Sequence, residues 1–237
     1  MRRYIVFVFV FFVSTSVLSQ NRNFQIPTYS DGDTTLWYKW KMELGKEIGL
    51  EDIRKTSNIW HFRLWTNKQV IEIWQNKDGV NLGKITNWVK EVTPDDEEPT
   101  HRKFYKSTEL DSIMVNQLSY LIKNSGIKSI PDEMYIENWR AIDDGITYTT
   151  EIADENDYYF KTYGNPKSQD IVEAQKVRNF VDSVVLITNL KEIWIEFRND
   201  VPFESYSYGG ICTRVIGTRK QKRQFKKERK NYRKQHL

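Results

Sequence analysis

Apolar and polar positions alternate most regularly between Ile59 and Val89. Trp60, Phe62 and Leu64 alternate with His61, Arg63 and Trp65; after Asn67-Lys68, Val70, Glu72 and Trp74 alternate with Ile71 and Ile73. A period of two marks strands. A two-residue turn at Asn67-Lys68 pairs Leu64 with Ile71 and Phe62 with Ile73 on one apolar face. The same register sets Arg63 opposite Glu72 on the other face, a favourable cross-strand pair worth roughly 0.2–1 kcal/mol if exposed. Asp78-Gly79 is a second turn and Leu82 to Val89 a third strand, which completes an antiparallel meander.

Elsewhere the pattern changes period. Thr34 or Thr35 caps a helix with Leu36, Trp40, Leu44 and Ile48 on one stripe. Gly45 and Gly49 weaken its second half. Ser107 or Thr108, after a short apolar piece at Phe104, caps a second helix with Leu110, Ile113, Met114, Leu118, Leu121 and Ile122 on its apolar side, ended by Gly126. Asp144-Gly145 leads into a strand through Ile146, Tyr148, Thr150 and Ile152. A turn at Asn156-Asp157 returns the chain along Tyr158–Tyr163, and Gly164-Asn165-Pro166 ends it. A long helix is predicted over Ser168–Thr188, a strand over Glu192–Arg198 (EIWIEFR), and a last strand within Tyr206–Ile216, bent at Gly209-Gly210. The polar segment Asn21–Asp33 reads as loosely held, and Thr93–Thr100 (TPDDEEPT) as a solvated loop. Two or three helices and seven or eight hairpin-connected strands predict an α+β fold, with antiparallel sheet and the helices packed on one face. The pattern leaves open whether the hairpins form one sheet or two.

The N-terminus has a different character. Arg2 and Arg3 precede an unbroken apolar run, Tyr4–Val13 (YIVFVFVFFV), and then small polar residues to Ser19. This is the layout of a cleavable secretory leader, with Val17 and Ser19 at the cleavage positions and Gln20 as the new N-terminus. Cleavage after Ser16 is the alternative. Ten apolar residues are short against the about 20 that a membrane-spanning helix needs. The expected layout is a leader over 1–19, one α+β domain over 20–217 with a subdivision weighed near 93–103, and a tail over 218–237. The destination is the periplasm or the exterior.

Composition sharpens this reading. The chain is 39% hydrophobic and 14% aromatic, enough for a sizeable core. Its one cysteine, Cys212, rules out an intrachain disulfide even in an oxidising compartment and reads as a buried small hydrophobe. The formal charge of +4 hides a division. The tail carries ten Lys and Arg against Glu228 alone, or +9, whereas Gln20–Gly217 holds 24 basic and 31 acidic residues, or −7.

Recognised chemistry is sparse. His61 and His101 have no zinc-ligand spacing, and no nucleophile elbow, phosphate loop or dinucleotide fingerprint occurs. No cofactor or metal is expected. Asp143-Asp144-Gly145 and Glu151 offer carboxylates for a hydrolase of unrecognised type, against the plainer reading of Asp-Gly as a turn. Eight tryptophans invite a carbohydrate-binding reading; packing explains them equally. Trp65 lies on the face opposite Phe62 and Leu64 and is core if a helix covers it, or a partner patch if none does.

The tail is the one concentrated feature. Arg219, Lys220, Lys222, Arg223, Lys226, Lys227, Arg229, Lys230, Arg233 and Lys234 recur every three to four residues, with Phe225 and Tyr232 as apolar anchors. Export argues against a native nucleic-acid role. Anionic envelope components are the expected targets, namely lipid headgroups, lipopolysaccharide phosphates or acidic glycans, with another protein as the alternative partner. The competing reading is a solvated tail that contacts the acidic body or nothing.

The leader ending in Ser19-Gln20, the strand pair HFRLW/VIEIW and the run from DGITYTTE to YYFKTYGNPKSQDIVEAQKVRNFVDSV resemble small uncharacterised exported proteins common in Bacteroidota. The resemblance implies export and no particular activity. The chain is therefore expected to be a non-catalytic binding or interaction protein of the cell envelope, with the hydrolase as alternative.

Overall fold

A computed structural model describes residues 22–142 and 144–236. The leader and its cleavage site lie outside the described residues, as does Asp143. The described chain holds nine strands and five helices, and the fold is α+β.

The strands form one mostly antiparallel sheet. In chain order they are β1 (Asn23–Gln25), β2 (Trp60–Trp65), β3 (Gln69–Gln75), β4 (Asn81–Glu91), β5 (Lys103–Glu109), β6 (Thr147–Asp154), β7 (Asp157–Gly164), β8 (Ser205–Tyr208) and β9 (Ile211–Arg214). The spatial order is β1-β7-β6-β2-β3-β4-β8-β9, with β5 also paired to β4. Only β1 and β7 run parallel. The sheet continues through β4 and β5 on either side of residues 93–103. The β2–β3 register matches the alternation: Leu64 faces Ile71, Phe62 faces Ile73 and Arg63 faces Glu72.

The two sheet faces differ as the alternation requires. On one face Phe62, Leu64, Ile71, Ile73 and Ile85 meet helix α2 (Ser112–Asn124) and helix α3 (Val172–Thr188) through Leu118, Ile122, Val177, Phe180, Val181 and Val184. Burying side chains of this size stabilises by about 1.5–3 kcal/mol each. Helix α4 (Leu190–Asp200) extends this layer, placing Trp194 and Phe197 against Val89, Phe203 and Tyr206. Helix α1 (Leu36–Glu47) covers the opposite face. Its Leu44, with Ile48 and Leu50, packs on Trp65 and Val70, and its Tyr38 and Met42 pack with Ala153, Tyr158 and Phe160. The helices, five rather than two or three among the described residues, are therefore not confined to one face as expected: the Trp65 side of the sheet is apolar enough to need its own cover. Trp65 is thus core, fully buried beneath a helix.

Several local expectations are corrected. Residues 192–198 are not a strand but part of α4. The same letters that alternate also put Leu190, Trp194 and Phe197 on a helical stripe, and those three are buried while Ile195 is exposed. The second helix starts later than expected. Ser107 and Thr108 belong to β5, and Asp111 caps α2 by accepting from the Met114 amide at 2.8 Å. Its buried stripe is Val115, Leu118 and Ile122, which leaves Ile113 outside. α3 begins at Val172 rather than Ser168, because Pro166–Ser168 forms a separate 3₁₀ turn, and Val185 faces out. On α1, Leu36 and Trp40 are exposed and the buried positions are Tyr38, Lys41 and Gly45. Gly209-Gly210 is no bend within one strand. It is the turn of a β8–β9 hairpin, with positive φ at both residues (49° and 83°), as a two-residue hairpin turn demands. Cys212 sits on the outermost strand of that hairpin and is exposed rather than buried.

The segment after the leader is also better held than expected. β1 pairs with β7, and the Arg22 guanidinium donates to three backbone carbonyls, those of Asp154, Arg54 and Thr56. A charged fork with three acceptors fixes the chain entry against the sheet edge.

Candidate functional site

The face under α1, which the sequence pattern leaves open between core and exposed patch, carries buried charge beside Trp65. Glu151 on β6, Arg63 on β2, Glu72 on β3, Lys84 on β4 and Glu109 on β5 are successive register partners. They share one face, and their signs alternate across five adjacent strands. Arg63, Glu72 and Glu151 are 1–2% exposed. Arg63 Nη2 donates to Glu72 Oε1 at 2.7 Å and to the Glu51 carbonyl at 2.8 Å, and its Nη1 donates to Glu151 Oε1 at 3.1 Å. Lys84 Nζ lies 3.5 Å from Glu72 Oε2, and His61 Nε2 lies 3.4 Å from Glu72 Oε1. Glu151 Oε1 also accepts from Trp65 Nε1 at 2.6 Å, while its Oε2 accepts from the Tyr158 hydroxyl at 2.8 Å.

The electrostatics follow from this packing. Burial works to raise the Glu72 carboxyl, but Arg63, His61 and Lys84 outweigh it and hold the group down at about 2. Burial acts against the charge on Arg63 as well, and Glu151 and Glu72 more than offset it. Burial, then Glu151, push the Tyr158 hydroxyl well above its ordinary value. Every oxygen of Glu151 and every edge of Arg63 is engaged. A carboxylate so held orders three strands, and neither of its oxygens is free to serve as a general acid or base.

The structure does not join Asp144 to Glu151. Asp144 is exposed in the turn before β6, and its carbonyl accepts from the Asn165 side chain. Thr147 to Glu151 alone spans about 13 Å of strand, beyond the roughly 5–9.5 Å between paired glycosidase carboxylates.

The basic tail is helix α5 (Arg219–His236). Thr218 and Gln221 exchange side-chain-to-amide hydrogen bonds at its start, a capping box. Contact with the body then separates two of the ten cations from the other eight. Arg229 turns inward: it is 3% exposed and donates from Nε and Nη2 to both Glu97 oxygens at 3.1 Å, with Glu204 3.6 Å away. One turn later Arg233 Nη1 lies 3.1 Å from Glu97 Oε2, and its Nη2 donates to the Glu98 carbonyl. Tyr232 lies under Arg102, whose guanidinium is 5.3 Å from its ring and makes a two-pronged pair with Glu91 at 2.6 and 2.7 Å. Arg229 holds the Glu97 carboxyl below the usual range. Arg219, Lys220, Lys222, Arg223, Lys226, Lys227, Lys230 and Lys234 all face solvent.

The acidic run Thr93–Thr100 is therefore a docking site for the tail as well as a loop. Its acids were visible in the sequence; their partners, more than 130 positions away, were not. Glu204 and the Glu91–Arg102 clamp carried no sequence signal, and neither did Lys41, a buried cation on α1. Among the described residues no group of three or more His, Cys, Asp or Glu side chains is placed to hold a metal ion, and no helix is long and apolar enough to cross a membrane. No protein-family model matches the chain, and no curated protein is significantly similar to it.

Proposed function

We propose that this chain is an exported, non-catalytic binding protein of the cell envelope, and that α5 is its contact with a polyanionic surface. The observation that carries this reading is the division of α5. Arg229 and Arg233 are spent on Glu97 and Glu204, which orders the helix on the body, while eight cations stand outward on one rigid element. Contact with the acidic body, the competing reading of the tail, accounts for Arg229 and Arg233 but leaves the eight outward cations without a partner on the body among the described residues. Each outward cation near an anionic membrane surface adds about 1 kcal/mol, reduced by salt. Export rests on Arg2, Arg3 and the apolar run Tyr4–Val13, together with the likeness to exported Bacteroidota proteins. Periplasm and exterior both satisfy it.

The test compares the chain from Gln20 to Leu237 with one ending at Gly217, on vesicles of phosphatidylglycerol and phosphatidylcholine, at low and high salt. The full chain is expected to bind at low salt and to release as salt rises; the shortened chain is expected not to bind. Equal binding by the two would overturn the tail's role. Preference for lipopolysaccharide or an acidic glycan over the vesicles would move the target but keep the helix as the contact.

A further inference from the structure

A pocket of about 400 Å³ lies between α1 and the sheet, at the low end of the roughly 300–1,000 Å³ range of small-ligand sites. Arg63 and Glu151 form its floor, Met42 and Leu50 its apolar walls, and Lys41 reaches into it from α1. Lys41 is 7% exposed, and its Nζ lies over the Trp65 ring at 4.9 Å and toward Trp37 at 5.9 Å. Among the described residues, no hydrogen-bond or ion-pair partner meets this ammonium. That is unusual, because a buried ammonium with no hydrogen-bond acceptor gives up hydration for ring contacts and a distant carboxylate alone.

Everything around it is already satisfied. Arg63 and Glu151 are engaged as described, and Arg54 at the rim is taken by Asp52 and the Tyr38 hydroxyl. The open valence in the pocket therefore belongs to Lys41. The charge count agrees. The residues that line the pocket carry five cations, Lys39, Lys41, Lys46, Arg54 and Arg63, against four carboxylates, Glu43, Glu51, Asp52 and Glu151, so one negative charge completes the balance. Glu43, Glu51 and Asp52 at the mouth oppose a ligand with several charges.

We propose that this pocket binds a small organic monocarboxylate, with its carboxylate paired to Lys41 and its apolar part against Met42 and Leu50. The site is separate from α5, so the two readings stand or fall independently. Burial lowers the Lys41 amine to about 8, against the opposing pull of Glu151, and a bound carboxylate would raise it again.

The experiment titrates the chain from Gln20 to Leu237 with straight-chain carboxylates from acetate to octanoate and with benzoate. The matched primary amides and inorganic phosphate serve as comparisons. Binding is read by calorimetry and by the ¹³Cε resonance of Lys41. At least one carboxylate is expected to bind and to move that resonance, while its amide binds at least tenfold more weakly. Lys41→Met and the wall-filling Met42→Phe are each expected to weaken binding at least tenfold, and Lys77→Met, in the β3–β4 turn outside the pocket, to leave it unchanged. The proposal is overturned if no carboxylate moves the Lys41 resonance, if amides or phosphate bind as well as carboxylates, or if folded Lys41→Met binds as the parent does.

Discussion

Arg63 and Glu72 face each other across the β2–β3 ladder and make a 2.7 Å ion pair with almost no solvent access. Their pairing is the one that strand alternation predicts. The burial is not, because α1 closes over a face that the pattern alone leaves open. Burial changes what the pair does. An exposed pair contributes little, whereas a buried one must be kept complete, since either partner alone is an uncompensated charge.

Arg63→Met is expected to destabilise the protein by about 3–5 kcal/mol, because it leaves Glu72 and Glu151 buried without their shared cation. Adding Glu72→Leu and Glu151→Gln removes the charges while keeping an acceptor for Trp65 and Tyr158, and should restore at least half of the loss. Urea unfolding of the two variants checks this, provided the slopes agree. If the triple variant is no more stable than the single one, the row is not electrostatically coupled.

Acid should act through Glu72. Its folded-state value of about 2 lies below the ordinary 4.5. Its contribution is therefore fully present above pH 4.5 and is lost as the pH falls through 2. The integrated effect is on the order of 3 kcal/mol. Stability measured from pH 5 to pH 2 should fall less steeply in Glu72→Gln than in the parent. Parallel curves would show that Arg63, His61 and Lys84 do not favour the charged carboxylate.

Base should act the other way, through two lysines. Burial lowers both Lys41 and Lys161 from 10.5 to about 8; Lys161 also donates to the Lys128 and Ile130 carbonyls at 2.7 Å. Between those pH values the unfolded chain binds more protons than the folded one, so stability rises with pH. Lys41→Met is expected to raise stability at pH 7, by up to about 3 kcal/mol, and to flatten the rise between pH 8 and pH 10. A loss of stability at pH 7 would mean that the Lys41 charge is compensated in the folded protein.

The docking of α5 depends on Glu97. Glu97→Gln weakens the hydrogen bonds from Arg229 and Arg233, each charge-assisted bond being worth about 1.5–3 kcal/mol. Amide exchange in residues 222–236 should speed up by at least roughly tenfold, with β2 and β3 unchanged. Unchanged exchange in α5 would place its anchorage elsewhere, on Tyr232 and Arg102.

The limits of sequence reading show at particular residues. The β2–β3 register was legible because two independent patterns, apolar pairing and charge pairing, agree on it. The β6–β7 hairpin was legible from its β-rich flanks, but its turn falls one residue earlier than expected, at Glu155-Asn156, and Asp157 opens β7. Residues 192–198 were misread because EIWIEFR satisfies both periods at once. The choice fell to Val89, Phe203 and Tyr206, which bury Trp194 and Phe197 together. The late start of α2 was misread because Ser107 and Asp111 are both good caps, and β4 claims Ser107 by pairing it with Thr86. For the candidate site, the ten tail cations were plain, but nothing local told Arg229 and Arg233 from the other eight.

By itself the sequence determined the short-range order of this protein: strand alternation, the β2–β3 register, the α+β class and the separation of an acidic body from a basic tail. These follow from neighbouring residues and from composition. Tertiary structure decided which charges are buried and with whom. Arg63 joins Glu151 across 88 positions and Arg229 joins Glu97 across 132, while Lys41 lies over Trp65 inside a pocket, without a hydrogen-bond acceptor among the described residues. The physical reason is that burial is a property of a face and of whatever covers it. A side chain's period names the face, but only the packed helices α1 and α5 name the cover.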